Sequence, residues 1–432
     1  MDAIVIRARE LRGTATVPGD KSISHRALIF AALAEGPCRI DGLATGADVR
    51  STAHCLRRLG VRIDDDGTVH GVGLHGLRAP AEPLDCGNSG TTMRLLAGVL
   101  AGSGVGGVLD GDESLRRRPM ARVLEPLRAM GAICEGAGGR APLTFAPGTR
   151  LRGTDHVLEV ASAQVKSALL LAGLWAEGRT TVREPALSRD HTERMLRAMG
   201  ARVAVGDVVA IEPPAHPLRM PDRLVVPGDP SSAAFLVAAA LLVPGGSIVV
   251  EGVDGNPTRT GFFAVLERMG ARVEMRPRGE AAGDPVIDLA ATHTGPLRAT
   301  VVEPHEIPAL VDEVPLLAAL ATQAEGLTEI RGAGELRVKE SDRLAAMARG
   351  LAALGAHVEE LPDGLRIRGP TPLAGATVAS HGDHRIAMSL AVAGLVAAGE
   401  TIVRDAGWAD ISFPGFFERL GALAGGAVRV RA

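Results

Sequence analysis

Apolar and polar positions alternate along the chain in two helical textures. One is amphipathic and ends on a recurring signature, Leu-x-x-[Leu/Met]-Gly-[Ala/Val]. It reads LRRLGV from Leu56, LRAMGA from Leu127 and again from Leu196, LERMGA from Leu266 and LAALGA from Leu351. FERLGA from Phe417 has Phe in first place. The marker glycines are Gly60, Gly131, Gly200, Gly270, Gly355 and Gly421, spaced by 71, 69, 70, 85 and 66 residues. The chain therefore reads as six copies of one unit of roughly 70 residues. Glycine suits the left-handed position just past a last helical turn. Alternating residues follow it, as in Ala201-Arg202-Val203-Ala204-Val205, which is a strand pattern.

The second texture is apolar on nearly every side. It covers Ala27 to Leu33, Ala168 to Trp175, Ala233 to Leu242, Leu316 to Ala321 and Ile386 to Val396. Helices of this kind are buried. They end near Gly and run into strands such as Thr180-Thr181-Val182 or Ser247 to Val250. The expected class is α/β, with two lobes of three units each. The break is expected near Pro227-Gly228. One lobe then holds residues 16–227, and the other holds 1–15 with 228–432. Hinges fall near 15–20 and 227–229.

Polar clusters stand at the heads of the buried helices. They read Asp20-Lys21-Ser22-Ile23-Ser24-His25-Arg26, Gly87-Asn88-Ser89-Gly90-Thr91-Thr92-Met93-Arg94, and Ser162-Ala163-Gln164-Val165-Lys166-Ser167. Later come Asp229-Pro230-Ser231-Ser232, Asp312-Glu313 and His381-Gly382-Asp383-His384-Arg385. Amphipathic segments add Arg116-Arg117-Arg118-Pro119, Ser188-Arg189-Asp190 and Lys339-Glu340-Ser341-Asp342-Arg343. Ser, Thr, Asp and Asn are ordinary N-caps, and capping accounts for Asp229 and Asp48. It does not account for the cations. Lys or Arg in a first turn opposes the helix macrodipole by about 0.3–1 kcal/mol. Lys21, Arg26, Arg94, Arg118, Lys339, Arg343 and Arg385 are all expected in or near first turns. Together they point to bound phosphates or carboxylates, held by exposed N–H groups and cationic side chains.

Composition sharpens one residue. Only three of the 47 basic residues are lysines, Lys21, Lys166 and Lys339, and the other 44 are arginines. Lysine can lose its proton where arginine cannot, so a lysine kept in a polar segment is a candidate for proton transfer. The net charge of −3 and the lack of a basic run exclude a nucleic-acid field. No apolar run is long enough to span a bilayer, and Met1 to Glu10 lacks the apolar core of a signal peptide. Four scattered cysteines without a CxxC pair fit a reduced, cytoplasmic protein with no structural metal. Gly19-Asp20-Lys21-Ser22 is not a P-loop, because Ala15 stands where a Gly is needed. His384 has no ligand partner at helical spacing, and Ser24-His25 has no evident Asp partner for a triad.

The segments PGDKSISHR, GNSGTTMR, SAQVKSALLLAGL, RVKESDR and GDHRIAMSLAVAGL, in this order from about Val5 to Phe417, resemble the signatures of the 5-enolpyruvylshikimate-3-phosphate synthases. Their wording is closer to the glyphosate-tolerant bacterial class than to the enteric one. The resemblance implies two lobes of three βαβαββ repeats, an inside-out α/β barrel with the active site in the cleft between lobes. It implies an enzyme without cofactor or metal, monomeric and not bound to membrane or nucleic acid. Its substrates would be shikimate 3-phosphate and phosphoenolpyruvate. Lys21, Ser22, Arg26, Ser162, Gln164, Arg189, Asp312 and Lys339 would bind shikimate 3-phosphate. Lys21, Gly90, Arg118, Gln164, Arg343 and Arg385 would bind phosphoenolpyruvate.

The implied reaction joins the two through a tetrahedral ketal and then expels phosphate. Asp312 would take the proton of the 5-hydroxyl, and Lys21 and Glu340 are the candidates for the opposite transfer. Two positions depart from the enteric pattern. Ile411 stands where many members have Lys, and Glu335-Leu336 where an Asn precedes Arg337. Those contacts are not carried over. Gly90 offers no methyl to crowd glyphosate, which argues for sensitivity, since tolerant relatives carry Ala there. The nearest rival is a UDP-N-acetylglucosamine enolpyruvyl transferase, which usually has a reactive Cys on a first-lobe loop. Asp112 to Pro119 has none. A non-catalytic anion-binding repeat protein is the other, and it would not need lysines kept in polar segments.

Overall fold

The structure, a computed structural model, describes residues 1–431. Its strands form six four-stranded sheets that share one strand order. In each, an outer strand runs parallel to the second, and two antiparallel strands follow. One sheet shows the register. Leu84 lies opposite Leu109 in parallel, Leu109 opposite Leu143 antiparallel, and Cys134 opposite Phe145 in the closing hairpin. The alternation in Arg140–Phe145 follows from this pairing, with Ala141, Leu143 and Phe145 inward and their neighbours outward. Among the described residues no closed barrel of strands forms.

Two sheets trade their parallel outer strands across the sequence. Arg12–Ala15 runs beside Ser247–Asp254, with Arg12 opposite Ser247. Arg223–Val225 runs beside Glu35–Asp41, with Arg223 opposite Arg39. Asp2–Ile6 pairs with both Glu400–Arg404 and Val428–Arg431. The chain folds into two compact units. The first holds Gly19–Val226 with Glu280–Asp284, and the second holds Met1–Pro18, Pro227–Gly279 and the chain from Pro285 onward. Each has three of the sheets and its own core of Ala, Leu, Val and Met.

The apolar helices form those cores. Every residue of Pro230–Leu242 is buried, and its Phe235 meets Phe416 edge-on at 5.8 Å. Each large side chain buried this way contributes about 1.5–3 kcal/mol. In the first unit the helices Gly90–Ser103 and Ala163–Gly173 pack closely because Gly98 faces the backbone of Ala168. A Cβ at Gly98 would sit 2.2 Å from that carbonyl oxygen. No described helix is long and apolar enough to cross a membrane.

Five marker glycines sit past helix ends with φ of 86–105°. Gly421 departs from the expectation. It stays inside the helix Phe416–Leu423, and a Cβ there would lie 2.6 Å from the carbonyl oxygen of Val428. Its glycine serves close packing, and Gly425 and Gly426 take the positive φ instead. Asp48 also departs. The N-cap of its helix is Gly46, and Asp48 lies inside the first turn.

Candidate active site

In the first unit, the helix Lys21–Leu33 begins on Asp20, whose carboxylate accepts from Ile23 N at 2.7 Å. That cap leaves Lys21 at the first helical position, half-buried, with Nζ 2.7 Å from Asp48 Oδ2. A carboxylate in the first turn of one helix thus offsets the ammonium at the start of another. Arg26, five residues on, is 2% exposed. It donates from Nε to Thr192 Oγ1, from Nη2 to Ser167 Oγ and from Nη1 to the Ser22 carbonyl, at 2.7, 2.7 and 2.9 Å. Burial pushes its guanidinium down to about 10, with Glu193 and Asp20 opposing, so it stays charged at neutral pH. Arg189 Nη1 reaches Ser22 Oγ at 3.4 Å.

The helix Gly90–Ser103 begins on Ser89, which caps Thr92 N. Gly90 is buried under two guanidinium groups. A Cβ at Gly90 would lie 2.9 Å from Arg94 Nη1 and 3.3 Å from Arg118 Nη1. Arg94 donates to Gln164 Oε1, and Gln164 Nε2 donates to Thr91 Oγ1 at 2.8 Å. Arg118 donates to Asn88 Oδ1 at 2.6 Å, and Asn88 donates to Asp112 Oδ2 at 2.7 Å. Ser162 caps the helix Ala163–Gly173, which carries Gln164 in its first turn. Two arginines, a glutamine and a helix N-terminus thus meet around one glycine, an arrangement suited to a phosphate or carboxylate.

In the second unit, Arg343 is the first residue of the helix Arg343–Ala353 and is 1% exposed. Its Nε lies 2.8 Å from Asp383 Oδ2, its Nη2 2.7 Å from Glu340 Oε2, and its Nη1 3.3 Å from Asp312 Oδ1. Burial alone would lower the guanidinium; Asp383, Glu340 and Asp312 outweigh it and hold the charge firmly. Asp383 is held low by Arg343 against its own burial. Arg385 donates to the Asp312 carbonyl at 3.2 Å and lies 3.4 Å from Asp312 Oδ2. Lys339 is half-buried, and burial pushes its ammonium down while Asp312, Glu335 and Glu340 pull it back up.

Two cations fall elsewhere than expected. Arg118 caps the C-terminus of the short helix Glu113–Arg117, and the next helix starts only at Ala121. Lys339 follows the 3-10 turn Gly334–Val338. At a helix C-terminus the macrodipole favours a cation, so opposition to the dipole does not explain these two. Arg26 and Arg94 lie past the first turn of their helices.

Sequence reasoning missed Arg259, Ser231 and Glu313 as a cluster. Arg259 donates to Ser231 Oγ at 2.9 Å and to Asp229 at 3.1 Å. Ser231 donates to the buried Glu313, and Glu313 lies 3.8 Å from Arg385. Glu313 is raised by burial, against Arg385. No motif marks Arg259, since its partners are 28 and 30 residues away.

Fold and site together define a six-sheet α/β protein that gathers cations and carboxylates at the starts of buried helices, an arrangement for anionic substrates. The profile of the EPSP synthase family, 3-phosphoshikimate 1-carboxyvinyltransferase, matches residues 6–420. The 3-phosphoshikimate 1-carboxyvinyltransferase of Gloeobacter violaceus is 57% identical, over 96% of each chain. That of Parasynechococcus marenigrum is 53% identical, over 96% of this chain and 98% of its own. A solved EPSP synthase of Acinetobacter baumannii superposes with a TM-score of 0.88 at 42% identity, over the whole of both chains. The chain belongs to the EPSP synthase family.

Proposed function

We propose that this chain transfers the enolpyruvyl group of phosphoenolpyruvate to the 5-hydroxyl of shikimate 3-phosphate and releases phosphate. The family supports the reaction. The observation that carries the residue assignment is the pairing of each central cation with a carboxylate, Lys21 with Asp48 and Arg343 with Asp312 and Glu340. Such pairs present charge to an anion and a titratable group to a proton.

Lys21, Ser22, Arg26, Ser162, Gln164, Arg189, Asp312 and Lys339 are then the residues for shikimate 3-phosphate. Phosphoenolpyruvate is bound by Lys21, Gly90, Arg118 and Gln164, and by Arg343 and Arg385. Arg94 belongs with this set, because it shares Gln164 and the face of Gly90. Asp312 accepts the hydroxyl proton as the C–O bond forms, its carboxylate oriented by Arg343 and Arg385. Lys21 and Glu340 serve the methylene carbon, one giving the proton in addition and one removing it in elimination. The arginines stabilise the departing phosphate, whose charge grows as the bond breaks. We read the protein as a cytoplasmic monomer without cofactor. Four cysteines outside any disulfide support the reducing compartment.

Phosphate release from phosphoenolpyruvate, measured with each acceptor, tests the reading. Release is expected with shikimate 3-phosphate and not with UDP-N-acetylglucosamine, and the reverse result overturns it. Sedimentation at assay concentration checks the monomer.

A further inference from the structure

Lys166 has no part in the chemistry above, yet it is one of only three lysines. It is completely buried in the first unit, in the helix Ala163–Gly173. Its Nζ lies 2.7 Å from Glu184 Oε2 and 2.8 Å from Glu193 Oε1, and it donates to the Ser188 carbonyl at 3.4 Å. Two carboxylates on one ammonium in a core are expensive to desolvate, and apolar packing of the same volume is often as stable. Such a cluster calls for something to hold in place.

What it holds is an irregular stretch. Between Glu184 and Asp190 the chain is neither helix nor strand, so no ladder fixes it. Ser188 is gripped on both faces. Its carbonyl accepts from Lys166, and its hydroxyl donates to Glu184 Oε1 at 2.5 Å. The next residue is Arg189, whose guanidinium reaches Ser22 at the start of the Lys21–Leu33 helix. On the far side, Glu193 takes Lys166, while Thr192 joins Ser167 at 2.7 Å and Arg26 at 2.7 Å. Lys166 and Ser167 thus hold both ends of the segment that carries Arg189.

We propose that Lys166 is a positioning residue for the acceptor substrate: through Glu184, Ser188 and Glu193 it fixes Arg189 where that guanidinium meets an anionic group of shikimate 3-phosphate. The proposal rests on the reading of Arg189 given above. Lys166 touches no substrate itself. Its loss displaces Arg189 and leaves Gly90 and Arg118, which stand on other elements, in place, while Gln164 keeps its own bonds to Arg94 and Thr91.

The test is steady-state kinetics of the full chain with both substrates, for Lys166→Met, Ser188→Ala and Lys166→Met combined with Glu193→Gln. KM for shikimate 3-phosphate should rise about tenfold or more, the scale of a small misplacement of a binding group. KM for phosphoenolpyruvate and kcat should stay within about twofold. The double variant removes a carboxylate left without its partner, so it should regain thermal stability while KM stays raised. A purely structural Lys166 gives the opposite pattern, a lower Tm with an unchanged KM for shikimate 3-phosphate, and that result overturns the proposal. If Lys166→Met does not fold, Ser188→Ala decides alone, because it removes the hydroxyl bond that ties the same segment to Glu184, the carboxylate Lys166 holds, without stranding a charge. A wild-type chain that releases no phosphate with shikimate 3-phosphate sinks the assigned activity and the role of Lys166 with it. An active wild type with unaffected variants sinks only the latter.

Discussion

Gly90 has ordinary helical backbone, so its side-chain position is governed by space and not by strain. A methyl there would press on the flexible ends of Arg94 and Arg118, 2.9 and 3.3 Å away. Those ends can shift, but they are the groups assigned to phosphoenolpyruvate. Gly90→Ala should therefore raise KM for phosphoenolpyruvate by about fivefold, from about 1 kcal/mol of crowding. It should weaken inhibition by glyphosate in parallel, with Tm nearly unchanged. A titration of glyphosate against phosphoenolpyruvate for both proteins checks this, and equal inhibition of the two removes Gly90 from the site.

Lys21 makes a second case at the same scale. Its pair with Asp48 is partly open to solvent, and such pairs contribute about 0–1 kcal/mol to stability. Lys21→Ala should leave the circular dichroism spectrum intact and lower turnover by about 10²–10⁴-fold, the range for a proton-transfer group. Near-normal turnover removes Lys21 from the mechanism. Lys21 was legible in the sequence because its signal is local, a cation on a capped helix start. The partners of Arg343 and Arg259 were not, because Asp383 lies 40 residues from Arg343 and meets it only in the fold.

The helix Lys21–Leu33 shows what burial does to a whole element. From Ile23 onward every residue of it is buried, including Ser24, His25 and Arg26. His25 Nδ1 shares a hydrogen bond of 2.7 Å with Thr52 Oγ1, which continues to Thr92 at 2.7 Å. Its Nε2 has no partner among the described residues. Burial pushes the imidazole down from 6.5 to about 3; Asp48 opposes this, while Lys21 and Arg26 add to it. The folded state thus keeps His25 neutral where the unfolded chain protonates it. Between those two values the unfolded state binds more protons, so stability must fall as pH falls from about 6.5 toward 3, with a slope of at most about 1.4 kcal/mol per pH unit from this residue. His25→Gln should flatten that part of the profile of Tm against pH. An unchanged slope in the variant assigns the acid sensitivity to other groups. Helix starts were readable in the sequence as N-cap residues before apolar runs. The ends of neighbouring short helices were not, which is why Arg118 and Lys339 were expected at starts and lie at ends.

At the scale of the molecule, six glycine-marked repeats became six sheets of one strand order. That periodicity was visible because five of the six repeats close their helix on a positive-φ glycine, and the sixth keeps the glycine for close packing. The pairing of Arg12–Ala15 with Ser247–Asp254 and of Arg223–Val225 with Glu35–Asp41 was not, since strand pairing over 235 residues (Arg12 to Ser247) and 184 residues (Arg39 to Arg223) leaves no local mark. The cysteines carry the last consequence. All four are free and buried in the first unit, Cys38 in the strand Glu35–Asp41, Cys55 in the helix Ala47–Arg58, Cys86 just after Leu84–Asp85 and Cys134 in Cys134–Ala137. Burial pushes the Cys38 thiol up to about 11 and raises that of Cys134; Cys86 is raised by its neighbour Cys55 and by burial. Only a thiolate attacks an electrophile readily. The native chain should therefore show no fast-reacting thiol toward a disulfide reagent, and four per chain after unfolding in guanidinium. Turnover with shikimate 3-phosphate should survive incubation with an epoxide or a maleimide. A single fast thiol whose modification stops turnover would put a cysteine in the chemistry, as in the UDP-N-acetylglucosamine enzymes, and would count against the proton transfers assigned to Lys21, Asp312 and Glu340.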